Sequence, residues 1–473
     1  MTNRNKFSLD FERSKLAILI ALLAIISISL VAFSFGGLVS VIISSSGNVQ
    51  TGTGNTAKSG SAKDIQSAVN WVVANLNGKG NVYVPAGTWN WTNPGQSWVT
   101  VTVPAGVNIF GATTTRDSND QVTSWNTIIR MSHDEGGNID TGEQWTFFVF
   151  QGSNDPAKPS EMRDIKVVGY RSFDHSSVTM QCALRIDSVA DFRIDHCCFE
   201  DTPSGIAVTD AMGVIDHCRI YNLYGWDDLG GYSDSTIGYG VGVYGDYHTP
   251  FAPTMNMLGH YANYITYIEN CYFSWWRHCV AEGVGGYYVF RYNTIEYDMG
   301  HFSLDVHGVR TQGYAGGRGA EIYSNTFLHV NQYIPLSVDG HSQSQWGAVS
   351  YNSTPSSSPD YRCLFQDGGG CGVWFNNYVD TSYRSDGIAL YTEDDVADAT
   401  WHLKDFYLWS TKGPWSPPSW NGPISGFSGR NVAAYWSRQA GNLGDTNYPN
   451  VDPSWSIAGY TPYTYPHPLT LTP

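Results

Sequence analysis

The sequence predicts an all-β chain folded as a right-handed, single-stranded parallel β-helix, because one strand-and-turn pattern recurs along it and its composition suits short strands. Copies of the pattern begin at Ile194 and Ile215, and at Ile268 and Phe290, which are spacings of 21 and 22 residues. A period of this length indicates a solenoid. Glycine accounts for 50 of 473 residues, and charged and aromatic residues each make up 14 %.

The net charge limits the classes of partner that the chain can have. The formal charge is −16, from 42 acidic and 26 basic residues. A nucleic-acid-binding protein needs a basic face for the phosphates, so the composition argues against one. It is compatible with a neutral partner or with one that a cation bridges.

The N-terminal residues predict a membrane anchor. Residues 1–15 carry more basic than acidic residues, and no charge occurs from Leu16 to Ile43. The length of this apolar run favours a transmembrane signal anchor over residues 16–44, with the N-terminus in the cytoplasm. Residues 45–60 then read as a flexible linker. The rival interpretation is a signal cleaved near Ala32–Ser34, and both interpretations place the rest of the chain outside the cell.

The β-helix domain is predicted over residues 61–400, and it begins with a capping helix. Ser61 and Asp64 have the spacing of a capping box. Val82–Thr88 follows as the first strand and turn. The apolar residues at helical spacing are Ile65, Val69, Val72, Val73 and Leu76.

The recurring pattern also predicts a ladder of turn residues. The fourth position of successive copies is Cys in the first three and Asn in the last three. Stacked coils place these residues above one another, where Asn can adopt left-handed geometry and bond the neighbouring backbone. The cysteines are interpreted as small buried turn residues, with a bridge between adjacent coils as the alternative. The copies are Ile194–Phe199, Ile215–Ile220, Ile268–Phe273, Phe290–Ile295, Ile322–Phe327 and Trp374–Val379.

On these residues the chain resembles the pectate-lyase-like parallel β-helix superfamily. The segments Asp64–Val69 and Val82–Trp89 are similar to its capping helix and first strand, and the Asn repeats match as well. The resemblance implies the fold and a polysaccharide partner, but the superfamily includes lyases, hydrolases, epimerases and binding proteins. Val214–His217 is similar to a pectate-lyase motif, yet its Arg-x-Pro-x-x-Arg partner is missing, as are the Asn-Thr-Asp and Arg-Ile-Lys of polygalacturonases. No catalytic residue is therefore carried over.

Ionisable residues converge on one predicted wall of the solenoid. Alternate residues of a strand share a face, so Phe302, Leu304 and Val306 should point into the coil while Asp305 points out. The coils before and after contribute His278–Glu282 and Leu336–His341 to the same wall. The alternative is a solvated polar face. The residues expected there are His278, Glu282, His301, Asp305, His307, Asp339 and His341.

These residues define a candidate active site. Neighbouring carboxylates raise one another's pKa and prepare an acid–base pair. Asp305, His307 and Asp339 also form a candidate site for a divalent metal such as Ca²⁺ or Zn²⁺, and Ca²⁺ is the cofactor considered. The candidate catalytic residues are Asp305, His301, His307, Glu282 and Asp339, and the candidate substrate-binding residues are His278, His341, Arg310 and Arg318.

Two reactions fit these groups. Hydrolysis of a glycosidic bond needs two carboxyl groups, which Glu282, Asp305 and Asp339 can supply. β-Elimination of a uronate needs a base near the acidic C–H bond, with a cation or an arginine to hold the carboxylate. The sequence leaves both open. The repeated Asp195-His196 and Asp216-His217 pairs are interpreted as turn-ladder residues rather than catalytic ones.

The remaining signals concern cysteines and the C-terminus. Cys363 and Cys371 bracket a glycine-rich loop and form a disulfide candidate, since an exported chain permits disulfides. Residues 401–473 are rich in Trp and Pro and are predicted to pack on the β-helix, with an aromatic platform for sugar rings as the alternative. The sequence thus predicts either a polysaccharide lyase or hydrolase, or a non-enzymatic surface protein, which is a glycan-binding adhesin or a structural envelope protein.

Overall fold

The computed structural model has the predicted all-β solenoid, and it describes nineteen stretches of the chain. These are residues 40–43, 49–52, 54–92, 100–132, 146–169, 182–202, 204–222, 239–245, 258–261, 265–276, 278–296, 302–306, 317–328, 363–367, 371–379, 388–392, 406–409, 431–432 and 460–471.

Three long sheets wrap one core, and each coil contributes one strand to each sheet in the order I, II, III. Successive coils pair in parallel, which confirms the parallel β-helix. Sheet I comprises Val101–Pro104, Thr146–Gln151, Cys182–Asp187, Ser204–Thr209, Tyr239–Tyr244, His278–Gly283, Phe302–Val306, Cys363–Asp367, Ile388–Thr392 and, antiparallel at its edge, Asn431–Val432.

Sheets II and III complete each coil. Sheet II comprises Gly80–Tyr83, Val107–Phe110, Glu161–Arg163, Phe192–Asp195, Gly213–Asp216, Ile265–Glu269, Tyr287–Arg291, Gly319–Tyr323, Cys371–Phe375 and Phe406–Trp409. Sheet III comprises Gly87–Thr92, Thr127–Ser132, Ile165–Val168, Cys198–Glu200, Arg219–Tyr221, Tyr272–Ser274, Thr294–Glu296, Thr326–Leu328 and Tyr378–Val379.

The capping helix lies where the sequence predicted it. It spans Ala62–Asn75, and the Ser61 side chain accepts a hydrogen bond from the backbone N–H of Asp64 at 3.2 Å. Ile65, Val69 and Val72 are buried against the first coil, so burial of this face holds the helix over the open end of the core. Val73 and Leu76, which share the predicted apolar spacing, are instead exposed.

The described part of the N-terminal region contains a small strand pair. Ser40–Ile43 pairs antiparallel with Val49–Gly52, so the predicted linker contains a strand. β-Branched residues in both segments favour this conformation. No described helix is long and apolar enough to cross a membrane. Most of the predicted anchor lies outside the described residues.

The turns between sheets II and III form the predicted ladder. The Asn325 N–H donates to Asn377 Oδ1 at 3.0 Å, and the Asn293 N–H donates to Asn325 Oδ1 at 2.9 Å. The Cys271 N–H continues the series by donating to Asn293 Oδ1 at 2.8 Å. Cys197, Cys218 and Cys271 are buried thiols, as predicted.

The left-handed residue of each turn lies one position earlier than predicted. The ladder asparagines bond across coils, whereas the residue before each takes the positive φ that reverses the chain. These preceding residues are His196, His217, Asn270, Tyr292, Ser324 and Asn376, with φ between 50° and 57°. The prediction of left-handed geometry at the fourth position is therefore wrong by one residue.

Candidate functional site

Asp305 lies on the outer face of sheet I. It falls between Leu304 and Val306, which both belong to the core inside the coil. Because side chains alternate along a strand, Asp305 points away from that core. Its direct partner on the preceding strand is Ala281. The Asp305 side chain is nevertheless fully buried, so its carboxylate lies in an environment with little water.

His278 lies beside Asp305 in the preceding coil. Its Nε2 is 3.8 Å from Asp305 Oδ2, and both side chains are buried. Tyr239, on the strand of the coil before His278, pairs directly with it. The centroid of the Tyr239 ring is 5.3 Å from the centroid of the imidazole. An imidazole next to a carboxylate can exchange a proton with a substrate while the carboxylate holds the charged ring. Of the predicted site residues that the structure describes, these two are the ones it brings together on the outer face.

Glu282 does not join this pair. It is in direct register with Val243 and Val306, which both face the core, and its Oε1 accepts a hydrogen bond from the Gly319 N–H at 3.1 Å. The prediction that Glu282 lies beside Asp305 on the outer wall is wrong. The coils repeat after 24 residues here rather than 23, because Ala281 pairs with Asp305. Cys279 and Val280 also both belong to the core, which interrupts the simple alternation.

Arg318 ends the connection that leaves the Asp305 strand. It is buried, and its backbone N–H donates to Gly286 O at 2.9 Å. Its neighbour Gly317 lies against Glu282, since a Cβ at Gly317 would be 2.0 Å from Glu282 Oε1. The predicted role of Arg318 in binding substrate remains a prediction.

The other predicted site residues fall outside the described part of the chain, and their roles remain predictions. They are His301, His307, Arg310, Asp339 and His341. The predicted disulfide is also untested, because Cys363 is described only by its backbone. Cys363 begins a strand of sheet I and Cys371 begins the next strand of sheet II.

Several long connections begin or end at strands of sheet I. Residues 222–238 and 329–362 lead into its strands, and residues 245–264 and 307–318 lead out. By contrast, each connection from sheet II to sheet III is two residues long in the six coils from Phe192–Asp195 onward. Long connections around one face of a rigid scaffold are where binding residues commonly lie. The topology therefore favours the outer face of sheet I.

A second polar cluster occupies the turns after two strands of sheet II. His196 and His217 follow one another in adjacent coils, and their rings stack with centroids 4.8 Å apart and an angle of 2° between planes. His196 Nδ1 bonds Asp195, and His217 Nδ1 lies 3.0 Å from Asp216 Oδ2. We refer to Asp120, Asp195, His196, Asp216 and His217 as the turn cluster.

Asp120 joins this cluster from a distant part of the chain, which the sequence did not predict. Asp120 lies in the turn between Thr115–Arg116 and Val122–Ser124, an antiparallel excursion, and its Oδ2 is 3.3 Å from His196 Nε2. The two Asp-His repeats were visible in the sequence, but the excursion that returns to them is 76 residues away. No local pattern links the two.

Charges within the turn cluster shift the pKa values of its members. Burial raises the pKa of Asp195, and the nearby charge of Asp216 adds to the effect. Burial alone would raise the pKa of Asp216 too, but hydrogen bonds from His217 and Arg193 outweigh it and lower the pKa. Burial would lower the pKa of His217, whereas its bond to Asp216 prevails and raises it. The carboxylates thus favour charge on His217 unless another cation takes that place.

The outer face of sheet II is closed by the chain's C-terminal part. Arg291 donates to Glu269 Oε2 at 2.7 Å and to the carbonyl oxygens of Tyr463 and Thr464 at 2.6 and 2.9 Å. Glu321 accepts from the hydroxyl of Tyr460 at 2.7 Å. Residues 460–471 therefore cover this part of the outer face of sheet II.

Comparisons with known proteins identify structures with similar folds. No family model and no curated protein matches the sequence. The A-module of the Azotobacter vinelandii mannuronan C-5 epimerase AlgE6 is 12 % identical, with a TM-score of 0.41 over 80 % of this chain and 85 % of that one. The alginate lyase of Paenibacillus sp. strain FPU-7 is 12 % identical, with a TM-score of 0.41 over 76 % and 96 %. A tailspike mutant of Escherichia coli bacteriophage HK620, in complex with a pentasaccharide, is 15 % identical, with a TM-score of 0.42 over 78 % and 55 %.

Proposed function

We propose that this protein is exported and acts on polysaccharide at the outer face of sheet I. The observation that carries the proposal is the buried His278–Asp305 pair, whose Nε2 and Oδ2 atoms are 3.8 Å apart. Polar groups in a water-poor environment interact more strongly with one another and with reacting atoms than they do in water. Structural neighbours that act on or bind saccharides are compatible with this function. The uncharged run from Leu16 to Ile43 supports export of the chain.

The geometry favours elimination over hydrolysis. Hydrolysis needs two carboxyl groups on opposite sides of the glycosidic bond. With Glu282 turned into the coil, Asp305 is the carboxylate that the described residues place beside His278 on the outer face. Elimination needs a base that takes the proton from the carbon next to the uronate carboxylate. The electrons of that bond form a carbon–carbon double bond as the bond to the leaving oxygen breaks, and the leaving oxygen takes up a proton from the charged base or from water. His278 is the proposed base and Asp305 the residue that stabilises its charged form.

An acidic substrate then needs a positive group, since the chain is itself strongly acidic. Arg318, which follows the Asp305 strand, is the described residue proposed to face the uronate carboxylate. Ca²⁺ bound by Asp305, His307 and Asp339 is the other source of positive charge that we consider. The two differ in their response to chelator.

The test is incubation of the full chain with a panel of acidic and neutral polysaccharides, with Ca²⁺ or with chelator. New reducing ends and the ultraviolet absorbance of unsaturated sugar ends are followed together. Elimination predicts that both signals rise on a uronate polysaccharide. Reducing ends without absorbance would mean hydrolysis. Neither signal on any substrate would overturn the enzymatic proposal.

A second candidate is a non-enzymatic glycan-binding protein, which one observation favours. The rings of Tyr292 and Tyr465 stack at 3.7 Å, and the two residues remain 40 % and 41 % exposed. Flat exposed aromatic surfaces suit the apolar faces of sugars. Binding without cleavage that is lost in Tyr292→Ala, and retained in Asp305→Asn, would establish this candidate in place of the first.

A further inference from the structure

We propose that the turn cluster binds a divalent transition-metal ion, with Zn²⁺ as the preferred ion, through His196, His217 and Asp120. One ligand atom from each of these residues lies within 4.8 Å of the others. Two ligands about 2.0–2.1 Å from a tetrahedral Zn²⁺ are about 3.4 Å apart. The 3.3 Å from His196 Nε2 to Asp120 Oδ2 already matches that separation.

The hydrogen bonds of both imidazoles prepare them as ligands. Each histidine directs Nδ1 at the aspartate that precedes it, Asp195 for His196 and Asp216 for His217. A carboxylate behind the ring at Nδ1 is the usual partner of a metal-bound histidine, and it leaves Nε2 to face the metal. His196 Nε2 also lies 3.1 Å from the backbone oxygen of Asp120, so an ion bound at Nε2 replaces the proton shared with that carbonyl. The same arrangement thus occurs twice in adjacent coils.

Arg193 fixes the second of these supporting carboxylates. Its Nε and Nη2 donate to the two oxygens of Asp216, each at 3.0 Å, so Asp216 cannot rotate away from His217. Such paired guanidinium–carboxylate bonds are strong and directional. Arg193, in the preceding coil, therefore holds Asp216 in place behind His217.

The backbone places both rings on the same side of the solenoid. His196 and His217 have φ angles of 50° and 51°, so each reverses its turn in the same way, and the coil spacing sets the 4.8 Å between rings. At the equivalent position the next coils carry Asn270, Tyr292 and Ser324. Among the described turns, adjacent histidines are thus confined to these two coils.

Charge and access also suit a cation. Five carboxylates, of Asp120, Glu161, Asp164, Asp195 and Asp216, meet the three guanidiniums of Arg116, Arg163 and Arg193, which leaves two negative charges for a divalent ion to offset. Asp120 has a side-chain exposure of 55 % and His217 of 18 %, so an ion can enter from solvent, and water can complete the coordination.

The test uses the full chain, stripped with chelator and titrated with Co²⁺, whose visible absorption reports a site of low coordination number. Zn²⁺ is then added in competition. The proposal expects a spectrum at one equivalent that Zn²⁺ removes. Asp120→Asn and His217→Gln should each weaken Co²⁺ binding by at least about 100-fold, more than the loss of a supporting residue. The exposed His260→Gln is the matched control and should bind as the wild type does.

Two results would overturn the proposal. The first is the lack of any Co²⁺ spectrum in the wild-type protein. The second is binding that survives in both Asp120→Asn and His217→Gln, which would place the ion elsewhere. Asp120 is exposed, so its variant keeps the test decisive even if His217→Gln does not fold. The readout does not depend on polysaccharide activity, so failure here and failure of the proposed function are distinguishable.

Discussion

Glu282 lies directly opposite Val306 of the neighbouring strand in sheet I. Because Val306 faces the core, the Glu282 carboxylate also turns into the coil, whereas Asp305, the residue before Val306, faces outward. This one-residue difference decides which carboxylate can meet a substrate. Inside the coil, Glu282 accepts a hydrogen bond from the N–H of Gly319, the first residue of the next strand of sheet II.

The first prediction follows from this placement of Glu282. Glu282→Gln keeps an oxygen that can accept from Gly319, so polysaccharide turnover should stay within about threefold of the wild type. Glu282→Ala leaves the buried N–H without that acceptor and should lower the free energy of unfolding by about 1–3 kcal/mol. Turnover assays and thermal melts check these expectations. A Glu282→Gln variant that folds normally but loses turnover about 100-fold would return Glu282 to the active site.

The second prediction concerns the ladder. Asn325 is buried and bonds Asn377, the backbone of Asn293 and Phe290 O. Asn325→Ala leaves several buried polar groups without a hydrogen-bond partner, so we expect the free energy of unfolding to fall by about 2–4 kcal/mol. The control, Cys197→Ala, removes a buried thiol from the same row and should cost less. Urea titrations measure both, and equal losses would mean that the ladder bonds add nothing beyond packing.

The sequence predicted the ladder only in part. The period and the Cys/Asn position predicted the solenoid, because each coil repeats the same turn. The left-handed residue was misplaced by one, because the Asn side chains serve bonds between coils rather than the turn itself. Glu282 was misplaced because Cys279 and Val280 are consecutive residues that both enter the core. This break in the alternation of side chains cannot be recognised from the sequence.

Contacts between distant segments were beyond the reach of the sequence. Asp120 meets His196 through an antiparallel excursion, and residues 460–471 return to cover Arg291 and Glu321. Neither pairing follows from a periodic pattern, since each depends on where a long connection ends. The outward position of Asp305 was predicted because it lies between Leu304 and Val306 in a regularly alternating strand.

The third prediction concerns a glycine at a close approach of two neighbouring strands of sheet II. Gly319 has a φ of 128°, and a Cβ there would lie 1.6 Å from Cys371 O, a backbone atom that cannot move aside. Gly319→Ala should therefore cost more than about 3 kcal/mol or prevent folding. Gly78, with a φ of 71° and open space around it, is the control, and its Ala variant should cost about 1 kcal/mol. Similar melting temperatures for the two variants would contradict the close approach.

The fourth prediction is a pH dependence of stability. Burial, with Arg291 nearby, lowers the pKa of His467 to about 4 from 6.5. The folded protein thus holds the neutral ring, while the unfolded chain takes up a proton below about pH 6.5. The contribution of His467 to the free energy of unfolding is full above pH 6.5 and is lost as the pH falls toward 4. The loss is about 1.4 kcal/mol for each unit by which the pKa is shifted, and about 3 kcal/mol at most.

A variant of His467 separates its contribution to the pH dependence of stability from that of the nearby carboxylates. Burial raises the pKa values of Glu269 and Glu321, so their contributions run in the opposite direction. His467→Gln retains an acceptor for the Leu469 N–H and lacks the titration. Melts at pH 7.5 and pH 5 should show a smaller drop for the variant than for the wild type. Equal drops would mean that His467 does not contribute.

The central claim is that polysaccharide is cleaved beside Asp305, and the most direct test compares two aspartates of one sheet. Asp305→Asn removes the carboxylate next to His278, and Asp187→Asn removes one that pairs with Arg185 four strands away in sheet I. On the best substrate of the panel, with folding verified by melts, we expect kcat/KM to fall at least about 100-fold in Asp305→Asn and to stay within about twofold in Asp187→Asn. Full turnover in Asp305→Asn would contradict the account.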